Sequence, residues 1–311
     1  MKDKGLSTFK NKTVNEVFSQ VFKVFMTVLM ILYVLSLLIP IYWMLINSFK
    51  GYIEYYASPS ITFPKDILGG IKENYAFIFN KLEVTRVVPG KGRVVFTVWD
   101  MLFNSVLLSL FAPIFSNLVF MTCGYVLSKY KFPGSKFLYS LGIVVMVLPL
   151  FGGNTSTMLL RKATGSYDNM FLMIVTGVSC GFSGINFLMF YAAFKSIPWE
   201  YAEAVFLDGG GHLTAFIKIM IPMIFPTFGV LSLLGFLGQW SDYQLFLVWL
   251  PSYANLAFGL YMMQNDLRVA LAVTTPQILA AFVIVSIPTA ALYISINKFF
   301  ISSFQVGGLK G

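Results

Sequence analysis

The chain has 311 residues, 57 % of them hydrophobic and 11 % charged, with a mean hydropathy of +0.76 and a formal net charge of +9. A soluble domain carries about 25 % charged residues, so these values exclude a water-soluble globule and a disordered chain, and two cysteines cannot staple a framework of this size. The basic residues form no dense run, which argues against nucleic acid; sparse Lys and Arg fit a membrane protein holding its topology against anionic lipid.

A membrane-crossing helix takes ~20 mostly apolar residues. The chain reads as an all-α polytopic membrane protein with six such spans, at about 24–47, 102–127, 137–160, 170–194, 224–248 and 276–297. Residues 1–23 form a tail in which Val14, Val17, Phe18, Val21 and Phe22 recur at helical spacing. That pattern predicts a short amphipathic helix on the inner leaflet before span one. Span one is too long for a signal-peptide core, and no small-residue cleavage pattern surrounds Leu38-Ile39-Pro40-Ile41. Residues 24–101 then comprise this span and a long external loop. In the loop, β-rich runs at 84–88 and 93–98 flank Pro89-Gly90-Lys91-Gly92 and predict a hairpin. Contact with an external binding protein and shielding of a pore rim are both open as its role. Residues 102–297 form the core. Span three is the least regular, because Pro149, Gly152, Gly153 and Asn154 interrupt it. A polar loop at 195–223 separates spans four and five, and a tail at 298–311 ends the chain.

Orientation follows from Lys and Arg. The two tails and the loops 128–136 and 195–223 carry twelve, whereas the short loops on the other side carry only Arg161, Lys162 and Arg268. The long loop 48–101 adds seven to that second side, but long loops count less, so both termini are expected in the cytoplasm.

The loop 195–223 carries the most specific signal. Ser196 can cap a helix, Pro198 suits its first turn, and Glu200 favours its positive end. Asp208 and the glycines 209–211 end that helix, and a second short helix over 214–220 leads to Pro222 and span five. The small residues Ala202 and Ala204 would let another surface approach closely. A helix, a tight turn and a helix on the cytoplasmic side have the form of a docking knob.

Glu203-Ala204, Asp208-Gly209, Ile219 and Pro222 resemble, in type and spacing, the coupling loop of permease subunits of binding-protein-dependent ABC importers. Val205, Gly210 and Ile221 depart from the common residues there, and the glycines at 210 and 211 predict a looser turn. Other stretches resemble the carbohydrate branch of that family, in particular the maltose-type MalG permease. They are Asn104-Ser105, Gly124-Tyr125, Lys131-Phe132-Pro133-Gly134, Ser196-Ile197-Pro198, Trp240-Ser241-Asp242-Tyr243 and the final Gly307-Gly308-Leu309-Lys310-Gly311. The resemblance covers about 100–311; earlier residues match only in layout.

The resemblance implies an ABC type I importer permease fold, in a bacterial plasma membrane, with the coupling helix between spans four and five. It implies a second homologous permease subunit, two copies of a cytoplasmic ATPase and an extracellular or periplasmic sugar-binding protein as partners, besides membrane lipid. ATP and Mg would belong to the ATPase; no cofactor or metal is expected on this chain. Glu203 is the expected ATPase contact, with Ala204, Asp208, Gly209, Ile219 and Pro222 shaping the loop. Sugar recognition needs aromatic faces and amides or hydroxyls, so Asn186, Gln239, Trp240, Asp242 and Tyr243 are candidates for the substrate path. Packing between helices is the competing reading for the first three. Asp242 is the one charged residue inside the six spans. It lies about 18 residues from Ile224, roughly 27 Å at ~1.5 Å per residue, near the outer face. It fits either the mouth of a sugar path or a hydrogen-bonded structural acid. His212 is expected at the docking surface, and Cys123 and Cys180 as packing residues.

The alternative is a stand-alone secondary transporter, for which mid-membrane ionisable groups and inverted repeats are expected and neither is visible. An enzyme has no supporting constellation, and the phosphate-binding motif of an ATPase is missing. An oligosaccharide fits best, but a uronate, a glycan fragment or a polyol phosphate is also open.

Overall fold

The computed structural model describes residues 14–58, 61–148, 153–176 and 181–307. An apolar run free of glycine folds as one helix, α1 (Val14–Ser48), which passes through Pro40. The amphipathic helix expected before span one is therefore not a separate element, because nothing between Val14 and the span breaks the helix. Every side chain from Phe18 to Tyr42 is exposed in the isolated chain.

A small lobe follows, with α2 (Tyr52–Ala57), α3 (Ile67–Gly70), a π-helical turn (Ile71–Tyr75) and α4 (Ala76–Lys81). Its carboxylates serve the local backbone. Asp66 caps α3 by accepting from the Gly69 amide at 2.8 Å, and Glu54 accepts from the Lys65 amide at 2.7 Å. The Asn74 amide donates to the carbonyls of Ser48 and Lys50, at 2.9 and 2.8 Å, and ties the lobe to the end of α1. β1 (Glu83–Val88) and β2 (Gly92–Thr97) pair antiparallel from Glu83↔Thr97 to Val88↔Gly92. The hairpin leads directly into α5 (Val98–Lys129), whose start is fixed by a capping box between Thr97 and Asp100.

Beyond α5 come α6 (Ser135–Val147), α7 (Gly153–Ala163), α8 (Met170–Thr176) and α9 (Ile185–Ser196). Predicted spans three and four are thus each divided between two shorter helices. Pro149 and Gly152, which suggested the break in span three, and Cys180 in span four lie outside the described residues. α10 (Glu200–Leu207) ends in a turn at 208–211, after which α11 (His212–Ala215) and a π-helical turn (Phe216–Met220) lead without interruption into α12 (Ile221–Ser241). The chain continues through α13 (Tyr243–Val248), α14 (Leu256–Asn265), α15 (Leu267–Ala270) and α16 (Thr275–Gly307). α16 extends through most of the predicted C-terminal tail; residues 308–311 and the N-terminal residues 1–13 lie outside the described ones. Among the described residues, four helical runs are long and apolar enough to cross a membrane: Phe18–Ser48, Val98–Lys129, His212–Ser241 and Thr275–Ser295.

α5 is the central strut, with α9 and α12 packed along it. Close approach is permitted by small residues: a Cβ on Gly235 of α12 would stand 2.6 Å from the Pro113 ring of α5. A polar chain joins the three helices. Asn186 of α9 donates to Asn117 of α5 at 3.0 Å, and Asn117 donates to Ser232 of α12 at 3.1 Å. The hairpin and the loop holding α10 adjoin opposite ends of α5, whose 32 residues span about 48 Å at ~1.5 Å each.

Candidate functional site

The predicted docking loop is a braced structure. Ser196 does not cap it; that residue ends α9, with its hydroxyl donating to the Ala193 carbonyl at 2.8 Å. α10 ends in a Schellman motif. The Gly210 amide reaches the Val205 carbonyl at 2.8 Å, the Gly209 amide reaches Phe206 at 3.1 Å, and Gly209 adopts φ +82°. The predicted looseness at 210 is not found: a Cβ there would meet the Val205 side chain at 2.5 Å.

The faces of α10 differ sharply. Residues 202 and 204 are ~200° apart on a helix and must point in opposite directions. Ala202 is buried in a cluster with Phe194, Ile197, Ala215 and Met220, so it serves the chain's own packing; Ala204 is exposed. Glu203, Asp208 and Pro222 are exposed, and Ile219 is half-buried in the π-helical turn. Leu207 is 89 % exposed and Leu213 69 %, with Tyr201 and Ile217 also open.

Beneath this face lies an aromatic seat. Tyr130, just past α5, hydrogen-bonds His212 Nδ1 at 2.9 Å and the Tyr125 hydroxyl at 3.3 Å. Its ring meets Trp199 edge-on, and Tyr125 stacks on Phe216 at 4.5 Å. Lys129 donates to the Ile197 carbonyl. His212 is exposed, and its ring is wedged between Tyr130 and Phe206. The loop is thereby joined to the end of α5. The role of Tyr130 had no sequence signal, because only the fold brings it to His212.

The candidate substrate-path residues divide. Trp240 is buried, and its indole N–H donates to the Val285 carbonyl of α16 at 2.9 Å. Trp240 and Tyr243 line a cavity of about 590 Å³ between α12, α14 and α16. Tyr261, Gln264, Asn265, Ser286 and Thr289, none of them singled out from sequence, line it too. Asn186 belongs to the interhelical chain described above, away from this cavity. Gln239 is half-buried, and its side-chain oxygen is buried without a hydrogen-bond partner.

Asp242 does not lie inside a continuous span. The helix stops at Ser241, Asp242 is extended, and its carboxylate caps α13 by accepting from the Leu245 amide at 3.0 Å. The Asp242 carbonyl accepts from Asn255 at 3.1 Å. Asn104 and Ser105 of α5 pin the neighbouring backbone at Ala254 and Leu256.

A second charged arrangement fastens the hairpin. Lys91 in its turn pairs with Asp168 at 2.9 Å and reaches Ser252 at 2.7 Å. Ser252 donates to Asp168 through both amide and hydroxyl. Partial burial works to raise the Asp168 carboxyl, but the Ser252 bonds and the Lys91 ammonium outweigh it and hold it below its ordinary value. Arg86 donates to the carbonyls of Phe246 and Leu247; burial lowers its pKa, opposed by Tyr167 and Asp168.

This architecture is that of an ABC importer permease, a multi-pass membrane protein. A chain of the crystal structure of a bacterial ABC transporter involved in the import of the acidic polysaccharide alginate superposes with a TM-score of 0.72 at 20 % identity, covering 90 % of this chain and 97 % of that one. Residues 121–305 match the model of the binding-protein-dependent transport system inner membrane component family, and the chain belongs to that family. It is 28 % identical over 224 residues to the galactooligosaccharides transport system permease protein GanQ of Bacillus subtilis, covering 71 % of this chain and 77 % of that protein. It is 25 % identical over 293 residues to the arabinooligosaccharides transport system permease protein AraQ of the same organism, covering 94 % and 97 %.

Proposed function

We propose that this chain is one of two permease subunits of an ATP-driven oligosaccharide importer in a bacterial plasma membrane, forming half of the translocation pore. Six crossings are completed when α6 with α7, and α8 with α9, supply the third and fourth. Both termini and the α10 loop face the cytoplasm, and the hairpin faces outside. The α10 loop seats in a cytoplasmic ATPase, which binds ATP and Mg, while an external binding protein delivers the sugar. The relatives named for galacto- and arabinooligosaccharides support the substrate class.

The observation that carries this reading is the shape of the loop. α10 presents Glu203, Ala204 and a Leu207 that is 89 % exposed, while its reverse side is locked to α5 through Ala202, Tyr130 and His212. An exposed leucine at the tip of a rigid projection gains by burial against a partner, about 1.5–3 kcal/mol if fully covered. A rigid link between that partner and the membrane helices is what coupling requires.

The test uses the complete transporter, co-expressed with its genomic-neighbour permease, ATPase and binding protein, in nanodiscs. Sugar-stimulated ATP hydrolysis is expected to disappear in Glu203→Ala and in Gly209→Pro while the membrane chains remain folded. Proline cannot adopt φ +82°, so the second variant breaks the turn. Stimulation surviving both changes, or an ATPase that never co-purifies, would leave the stand-alone transporter as the better account.

A further inference from the structure

We propose that the cavity between α12, α14 and α16 is a binding subsite for a neutral saccharide, so that this chain grips the transported sugar directly. The inference rests on the sugar-permease reading and extends it to a named surface. At about 590 Å³ the cavity has the size of an ordinary small-molecule site. Its recognition chemistry is that of a sugar. Tyr243 and Tyr261 stack face to face at 4.5 Å with an interplanar angle of 11°, so each covers one face of the other and leaves its outer face for a ligand. The C–H face of a pyranose packs on an aromatic ring face, while its hydroxyls need hydrogen-bonding groups at the edges.

Those groups are present. The hydroxyls of Ser286 and Thr289 each donate to a backbone carbonyl of their own helix at 2.8 Å, which leaves their oxygens as acceptors toward the cavity. The amides of Gln264 and Asn265 are exposed on the lining. The Trp240 indole N–H is held by Val285, so Trp240 contributes its ring rather than a donor.

Charge selects the sugar. Among the described residues, no Asp, Glu, Lys, Arg or His lines the cavity. A uronate or sulfonate bound there would find no cation on the lining to pair with, whereas a neutral sugar needs none.

The experiment uses the assembled transporter with Cys123→Ser and Cys180→Ser, and with Ser286→Cys or Thr289→Cys as a reporter inside the cavity. Maleimide labelling is followed in nanodiscs with maltotriose, galactobiose, arabinotriose or digalacturonate. A neutral sugar at ten times its Kd is expected to slow labelling about tenfold, and digalacturonate is expected to have no effect. Tyr261→Ala should remove the protection and Tyr261→Phe should keep it. Equal labelling in every sugar, protection by digalacturonate alone, or a reporter unreactive at both positions overturns the proposal. Should Tyr261→Ala fail to assemble, protection with Tyr261 intact decides. Stimulated ATP hydrolysis that is lost in Glu203→Ala but untouched in Tyr261→Ala would discard the subsite and leave the permease reading standing.

Discussion

A methyl group added at position 210 would be felt through the α10 loop, whereas one at 211 would not. A Cβ on Gly210 meets Val205 at 2.5 Å, and nothing lies within 4 Å of one on Gly211. Gly210→Ala is therefore expected to reduce sugar-stimulated ATP hydrolysis and Gly211→Ala to leave it near wild type; equal effects would show that the turn does not act through α10. The run of three glycines alone reads as slack, because spacing does not reveal which of them packs. Asn117 makes a similar point inside the bundle. Its replacement by leucine strands Asn186 and Ser232, and should cost about 1–3 kcal/mol, read as a lower melting temperature in detergent. Asn186 could be singled out as a polar residue in an apolar span. Its partners could not, since they stand on helices distant in sequence.

At the scale of elements, the hairpin is legible because β-branched runs flank a Pro/Gly turn. Its fastening is not, because Lys91, Asp168 and Ser252 come from three separate segments. This clamp has a pH signature. The folded Asp168 carboxyl lies below its unfolded value, so its stabilisation is fully present above the ordinary carboxylate range and is lost as pH falls through the folded pKa. Wild type should melt above Asp168→Asn at neutral pH, and the gap should close below about pH 4. A gap independent of pH would mean that Asp168 contributes shape rather than charge. The same separation of segments explains the misreadings at Ser196 and Ala202. Each residue type suits the role expected of it, but Ser196 lies inside the end of α9 and Ala202 faces inward.

For the whole molecule, the main feature is what the chain leaves uncovered. α1 exposes every described side chain from Phe18 to Tyr42, which only lipid or another subunit can satisfy. The placement of the α10 loop and the hairpin at opposite ends of α5 makes the orientation testable. In intact cells, Val87→Cys at the exposed hairpin should react with a membrane-impermeant maleimide, and Leu207→Cys only after permeabilisation. The reverse pattern would invert the topology and remove the cytoplasmic docking site.

Composition and hydropathy by themselves determined that this is a membrane-spanning helical chain, because ~20-residue apolar runs are dictated by bilayer thickness. The spacing from Glu203 to Pro222 likewise determined that a helix–turn–helix lies there and which family it resembles, since that is a local pattern. Only the tertiary structure decided how that loop is braced, that Asp242 caps α13, and that Trp240, Tyr243 and Tyr261 share a cavity. Each of these depends on contacts between helices separated along the chain, and the apolar pattern that builds a membrane helix does not specify which neighbour it will meet.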